Sequence, residues 1–380
     1  MPVFGMPTLI EAPGPEAAVR LCKELGLQFV ELNMNLPEYQ PHQFPMAELK
    51  KLADETGVFY TIHVDENLNP CDFNPYVADA WLRTMEETLG IARELGAPVV
   101  NMHLSRGVYF TLPGQRVFLY EEYLEEYLAA ILRLRETCEK AAGGQVRICI
   151  ENTDGFLSVQ KQAIQLLLES PVFGLTYDIG HDYGANYVDR PFLLEHSDRL
   201  CHMHLHDAGE KGIHLALGDG QLPLTNRLHL AEDHDCRIVL ETKTLSGLKK
   251  SVDWLHRCYL PTQDELFFWQ QNPTGLQIYQ SLKATLLAMH PGTQFSVKKT
   301  QISLQNRYVF GAVSLPRKKS QPGLLLTLGL PTPMESPRIC QRVEAYPGRW
   351  THHITMFSPD DLDDELLRWL EAAVVFAQNK

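Results

Sequence analysis

The chain lacks any apolar run of about 18 residues, the length a helix needs to cross a bilayer core, so no spanning helix is expected. Its first residues, "MPVFGMPTLIEAPGPE", lack a basic segment followed by an apolar one, so export is not expected and a cytoplasmic location is. None of the 8 cysteines stands in a CxxC pair, and Cys149 and Cys201 lie in apolar, strand-like runs. That usage fits buried reduced thiols and not a disulfide framework. Positive charge is scarce: 34 lysines and arginines against 47 aspartates and glutamates leave a formal net charge of −13. A polyanionic partner such as duplex DNA is therefore disfavoured. No GxGxxG follows the first β-rich run, so the fingerprint of a dinucleotide-binding sheet is missing.

What is there is a globular composition, 44% hydrophobic and 21% charged, over 380 residues. That length accommodates one barrel-sized unit and a smaller one. Through residue 260, β-rich runs alternate with amphipathic ones. "PVFGMPTLI", "FVELNMN", "FYTIHVD", "PVVNMHLS", "VRICIEN", "FGLTYDIGH", "RLCHMHLHD" and "RIVLET" are eight strands, each followed by a helix. Strict βα alternation implies a parallel sheet, and eight units in about 260 residues is the size of a (β/α)8 TIM barrel. The expected organisation is a barrel over residues 1–260, a linker over 261–275, and a smaller α+β domain over 276–380. In the last, several β-rich runs lie between a helix over 276–289 and a final helix from about 360 to 378, with Ser358 as its cap.

In such a barrel, chemistry belongs at the carboxyl ends of the strands. The third strand ends in His63, the fourth in His103 and the fifth in Glu151. The sixth ends in Asp178 with His181 behind it, the seventh carries His204, and the eighth ends in Glu241. Each polar group there costs desolvation unless it meets a partner, a ligand or a metal. Glu151, Asp178, His204 and Glu241 offer three carboxylates and one imidazole, a set suited to one divalent ion such as Mn, Co, Mg or Zn. Such an ion can hold neighbouring oxygens of a hydroxy-ketone and stabilise the enediolate formed when the α-proton leaves, with Glu151 and Glu241 as the available proton carriers. His63, His103, His181 and His214 are candidate contacts for hydroxyls or a phosphate. Within "CHMHLHD", His202 should lie deeper in the barrel as a packed, hydrogen-bonded histidine, and His206 at or beyond the lip.

"IEN", "YDIGH", "HLHD" followed by "HLALGDG", and "LET" together resemble the xylose-isomerase-like TIM-barrel superfamily over roughly residues 1 to 258. That group holds sugar and sugar-phosphate isomerases and epimerases, inosose dehydratases and endonuclease IV. The resemblance implies that Glu151, Asp178, His204 and Glu241 bind one divalent metal, with Glu151 and Glu241 as the acid/base pair on opposite faces of a sugar or sugar phosphate. It also carries alternatives: an inosose-dehydratase-like lyase, an endonuclease IV-like zinc nuclease, and a barrel that only binds a sugar and regulates. Against the nuclease stands Gly212, two before His214, where that enzyme's pattern has an aspartate ligand. The expected partner is a small sugar, with neither membrane nor nucleic acid, and a homo-oligomer is left open. "HPGTQFSVKKTQISL" and "YPGRWTHHITMFSPDDLDDELLRWLEAA" resemble a domain family of unknown function. There His352 and His353, with Arg349 and Lys298, are expected to hold structure more than to bind an anion.

Overall fold

The structure, a computed structural model, describes residues 2–316 and 322–379. The chain divides into two compact units, Met1–Val252 and Asp253–Lys380. In the first, eight strands run Val3–Pro7 (β1), Phe29–Asn33 (β2), Phe59–His63 (β3), Val99–His103 (β4), Arg147–Glu151 (β5), Phe173–Asp178 (β6), Leu200–Leu205 (β7) and Arg237–Leu240 (β8). All pair in parallel with their neighbours in this order, and β8 closes on β1 through Val3 opposite Arg237 and Gly5 opposite Val239. The architecture is the (β/α)8 barrel that the alternation implies.

Strand β5 shows why these strands read as nearly continuous apolar runs. Ile148, Cys149, Ile150 and Glu151 are all buried, because one strand face packs under helices and the other fills the barrel. Alternation puts Arg147, Cys149 and Glu151 on one face, rising from the amino to the carboxyl end of the strand. The covering helices end where glycine permits a left-handed residue: Gly57 stops Met46–Thr56 and Gly96 stops Pro75–Leu95. Two small antiparallel ribbons stand above the strand ends. One joins Tyr109–Leu112 to Gln115–Phe118 after β4, and the other joins Asp207–Gly209 to Gly212–Leu215 after β7. No helix among the described residues is long and apolar enough to cross a membrane.

Among its described residues the second unit carries six antiparallel strands: Gln294–Val297 (β9), Ile302–Gln305 (β10), Val309–Ser314 (β11), Leu324–Leu330 (β12), Ile339–Tyr346 (β13) and Arg349–Met356 (β14), in the order β9-β10-β11-β12-β14-β13. Helices Pro273–Met289 and Asp364–Gln378 supply Ile278, Leu282, Leu286, Leu366, Leu370 and Val374 to a core shared with Leu324, Leu326 and Leu328 of β12. Two local readings of the sequence are corrected here. Residues 261–275, expected as a linker, include the helix Gln263–Trp269, closed by a reciprocal Thr262–Glu265 capping box and anchored by buried Trp269. Ser358 caps the short turn Pro359–Asp361, and the final helix starts at Asp364 under Asp363, whose carboxylate accepts from Leu366 N at 3.0 Å.

Candidate active site

The barrel geometry gathers the residues that end its strands. Glu151, Asp178, His204 and Glu241 each offer a ligand atom within 4.8 Å of the others. The His204 Nδ1 atom lies 3.3 Å from Glu151 Oε2, 3.2 Å from Glu241 Oε2 and 3.8 Å from Asp178 Oδ2. Although buried, neither His204 Nδ1 nor Glu241 Oε2 has a hydrogen-bond partner among the described residues. Three carboxylates converging on one orphaned imidazole nitrogen are costly without a cation to neutralise them. This donor set therefore fits a divalent ion that accepts oxygen and nitrogen ligands.

A second layer holds these groups, and part of it escapes sequence reasoning. Glu31, inward on β2, is buried and accepts from His202 Nε2 at 2.7 Å and from Thr61 Oγ1 at 3.1 Å. Its other oxygen lies 2.9 Å from His204 Nε2. A carboxylate beside Nε2 favours a hydrogen on that nitrogen and so would leave Nδ1 to a bound cation, the usual arrangement behind a metal-binding imidazole. The signal was a lone glutamate inside the apolar run "FVELN", a charge that burial obliges to find partners. Asn101 on β4 was missed in the same way: its amide donates to Glu151 Oε2, and its oxygen accepts from Thr176 Oγ1 at 2.5 Å. Asn152 grips the Asp178 backbone, accepting from its N at 2.9 Å and donating to its O at 2.8 Å.

His202 is the packed interior histidine that the strand pattern suggested. His206, expected at or beyond the lip, is instead fully buried. Its Nε2 donates to Asp178 Oδ1 at 3.1 Å, and its Nδ1 accepts from His214 N at 2.8 Å. Glycine at 180 makes this possible, since a Cβ there would collide with the His206 ring. The aspartate of "HLHD" has a structural duty. Asp207 accepts four backbone amides, from Ala208 at 2.8 Å, Gly218 at 3.0 Å, Gly220 at 3.0 Å and Leu222 at 3.1 Å, and so folds the "LGDG" loop around its carboxylate.

The predicted substrate-facing histidines all reach this centre. His63 Nε2 and His103 Nε2 stand 3.4 and 3.3 Å from Glu151 Oε2, and His181 Nδ1 stands 3.2 Å from Glu151 Oε1. His214 Nδ1 lies 3.9 Å from Glu241 Oε2. His103, His181, His214 and Glu241 keep 13 to 21% of their side-chain surface open, whereas Glu151, Asp178 and His204 are closed off. Three further groups of potential ligands adjoin among the described residues: Glu31, His202 and His204; His63, His103 and Glu151; and, last, His181, His206 and His214. In the last, Gly212 supplies no carboxylate. Lys243 Nζ donates to Glu241 Oε1 at 2.9 Å, and the Arg106 guanidinium lies over the Phe118 ring.

Mutual charge dominates the electrostatics. Burial alone would raise the Glu151 and Glu241 carboxyls, but His204 above all, with His103 on Glu151 and Lys243 on Glu241, holds both well below the usual range. Burial would lower His204, yet Glu151, Glu31 and Glu241 hold it well above an ordinary histidine. His63 and His181 are each pushed up to about 9 against burial, His63 chiefly by Glu151 and His181 by Asp178 and Glu151. His214 goes the other way, to about 4, through burial and the neighbouring His206.

In the second unit, His352 accepts from Met334 N at 2.9 Å and His353 Nδ1 meets Thr327 Oγ1 at 3.0 Å. Both tie β14 to its surroundings.

Comparison with known proteins agrees with this geometry. Residues 19–258 match the family model described as xylose isomerase-like TIM barrel, and residues 267–376 match a domain of unknown function, DUF5655. Uncharacterized protein MJ1188 of Methanocaldococcus jannaschii is 22% identical over 209 residues, 53% of this chain and 72% of that protein. Among solved structures, a D-tagatose 3-epimerase-like protein superposes with a TM-score of 0.53 at 22% identity, covering 67% of this chain and 96% of that one. The 3-keto-D-glucoside 4-epimerase YcjR from E. coli gives 0.56 at 16% identity, with 68% and 100% covered. A probable 3-DHS dehydratase, AsbF, from Bacillus anthracis gives 0.53 at 14% identity, with 67% and 98% covered. With eight parallel strands closed into a barrel and a site at their carboxyl ends, the chain belongs to the xylose isomerase-like TIM-barrel family.

Proposed function

We propose that this protein is a divalent-metal-dependent epimerase or isomerase of a sugar or sugar phosphate. The observation that carries the reading is the orphaned His204 Nδ1 facing oxygens of Glu151, Asp178 and Glu241 at the open end of the barrel. A cation held by these four would stabilise negative charge on adjacent oxygens of a hydroxy-ketone as its α-proton leaves. Glu241 and Glu151, both held ionised by the histidines around them, are ready to accept that proton. One carboxylate removes it from one face of the substrate carbon and the other returns it from the opposite face. His63, His103, His181 and His214 ring the same space and can bind hydroxyls. The epimerases among the solved structures of similar fold support this choice of reaction.

The test is proton exchange. The metal-reconstituted protein, incubated with a panel of ketoses in D2O, should place deuterium on the carbon next to the carbonyl, read by NMR, and Glu241→Gln should slow exchange by at least about a hundredfold. No exchange above buffer across the panel overturns the proposal. Loss of water from the product in place of inversion would favour the dehydratase reading, which the AsbF likeness supports and which begins with the same proton abstraction. The additional histidine groups keep a multinuclear nuclease as a further alternative. Both nitrogens of His206 are already engaged, which weighs against a third metal there.

A further inference from the structure

Two cysteines inside the lower half of the barrel serve none of this chemistry. Cys149 lies on β5 and Cys201 on β7, and their Sγ atoms approach to 3.0 Å across the intervening β6. Two features of the chain create that approach. The residue of β6 opposite Cys149 is Gly174, where a Cβ would stand 2.9 Å from Cys201 Sγ and 3.0 Å from Arg199 O. Along β6 and β7 the register slips, Leu175 pairing with Leu200 but Thr176 with His202, so Cys201 is the extra residue of a bulge and its side chain is re-aimed.

Of the two, Cys201 is reachable and Cys149 is buried behind it. Cys201 lines a cavity of about 550 Å3 at the amino ends of the strands, together with Arg147, Asp198, His234 and Arg237. The contact with Cys149 lowers the Cys201 thiol against the effect of burial, and Arg147, Arg237 and Arg199 lower it further.

We propose that Cys149 and Cys201 are a redox modification site, oxidised by hydroperoxides to an intramolecular disulfide. The Cys201 thiolate attacks the peroxide, forming an S–O bond, breaking O–O and releasing hydroxide that leaves as water. The Cys149 sulfur then attacks the sulfenic acid, forming S–S and expelling a second water after proton transfer. Two thiols and one hydrogen peroxide give one disulfide and two waters. Closing the sulfurs from 3.0 Å to about 2.05 Å would tie β5 to β7, the strands that end at Glu151 and carry His204.

The experiment treats the full chain, as Cys340→Ser to remove the exposed thiol, with stoichiometric hydrogen peroxide, followed by alkylation and peptide mass spectrometry. A cross-linked peptide containing Cys149 and Cys201, lost on reduction with dithiothreitol, is expected, with about two fewer alkylatable thiols per chain. In Cys149→Ser the Cys201 sulfenic acid should persist and be trapped by dimedone. Gly174→Ala should abolish the cross-link by displacing the Cys201 sulfur. Unreacted Cys201, or Cys201 over-oxidised to sulfinic acid without any cross-link in the parent protein, overturns the proposal.

Discussion

Replacing Glu31 by glutamine tests the layer behind the proposed metal. The substitution keeps shape but removes a charge that lies 2.7 Å from His202 Nε2 and 2.9 Å from His204 Nε2. The carboxylate accepts from His202 and sets its negative charge against His204 Nε2. A carboxamide offers one oxygen and one NH2, so one ring loses its acceptor. If that ring is His204, its hydrogen shifts toward Nδ1, the atom that faces Glu151, Asp178 and Glu241. Unit charges 2.9 Å apart interact by about 6 kcal/mol at an effective dielectric of about 20. Desolvation and the surviving hydrogen bonds offset most of that. Loss of an outer-shell partner costs about 10- to 100-fold in metal affinity, or about 1.4–2.7 kcal/mol. The assay is titration of the metal-free protein with Mn(II) or Zn(II) against a competing chelator, beside circular dichroism to confirm folding. A folded Glu31→Gln protein that binds within about twofold of the parent would refute the reasoning.

Asp207→Asn should loosen the loop of residues 216–222, because an NH2 would face backbone donors that the carboxylate now accepts. A loss of about 3 kcal/mol is expected from several charge-assisted bonds, read as an earlier denaturant midpoint and faster amide exchange at Gly218, Gly220 and Leu222. Asp363→Ala should cost the final helix about 1 kcal/mol, or about fivefold faster amide exchange over Asp364–Gln378 at neutral pH. Backbone amides, Leu366 first, and then Arg338 hold the Asp363 carboxyl below its ordinary value of 3.8. Its contribution is therefore fully present above that value and is lost as pH falls through the lower, folded value. The difference between parent and Asp363→Ala should shrink in acid, and one that grew there would contradict the assignment.

The barrel was legible because its strands are apolar runs, the third to eighth of them closed by or carrying a polar residue near the end, alternating with amphipathic helices. His63, His103, Glu151, Asp178, His204 and Glu241 stood out as the residues that end those runs. Glu31, Thr61 and Asn101 did not, because they lie mid-strand, where only closure of the barrel shows that a side chain points inward. His206 was misplaced for a related reason: alternation puts it near the rim, but the short helix Ile179–Gly184, with glycine at 180, packs over it. The helix Gln263–Trp269 hid in an expected linker because "DELFFW" is short, and its anchor, Trp269, acquires meaning only against the core of the second unit. The approach of Cys149 to Cys201 depends on a bulge and a glycine on a third strand, a conjunction that no spacing within one segment announces.

The central claim is a single metal held by Glu151, Asp178, His204 and Glu241. Elemental analysis of the protein after metal reconstitution and removal of excess ion, beside Glu151→Gln and Glu241→Gln, tests it most directly. The account predicts about one divalent ion per chain in the parent and markedly less in both variants. No retained metal in the parent, or full retention in both variants, would contradict it.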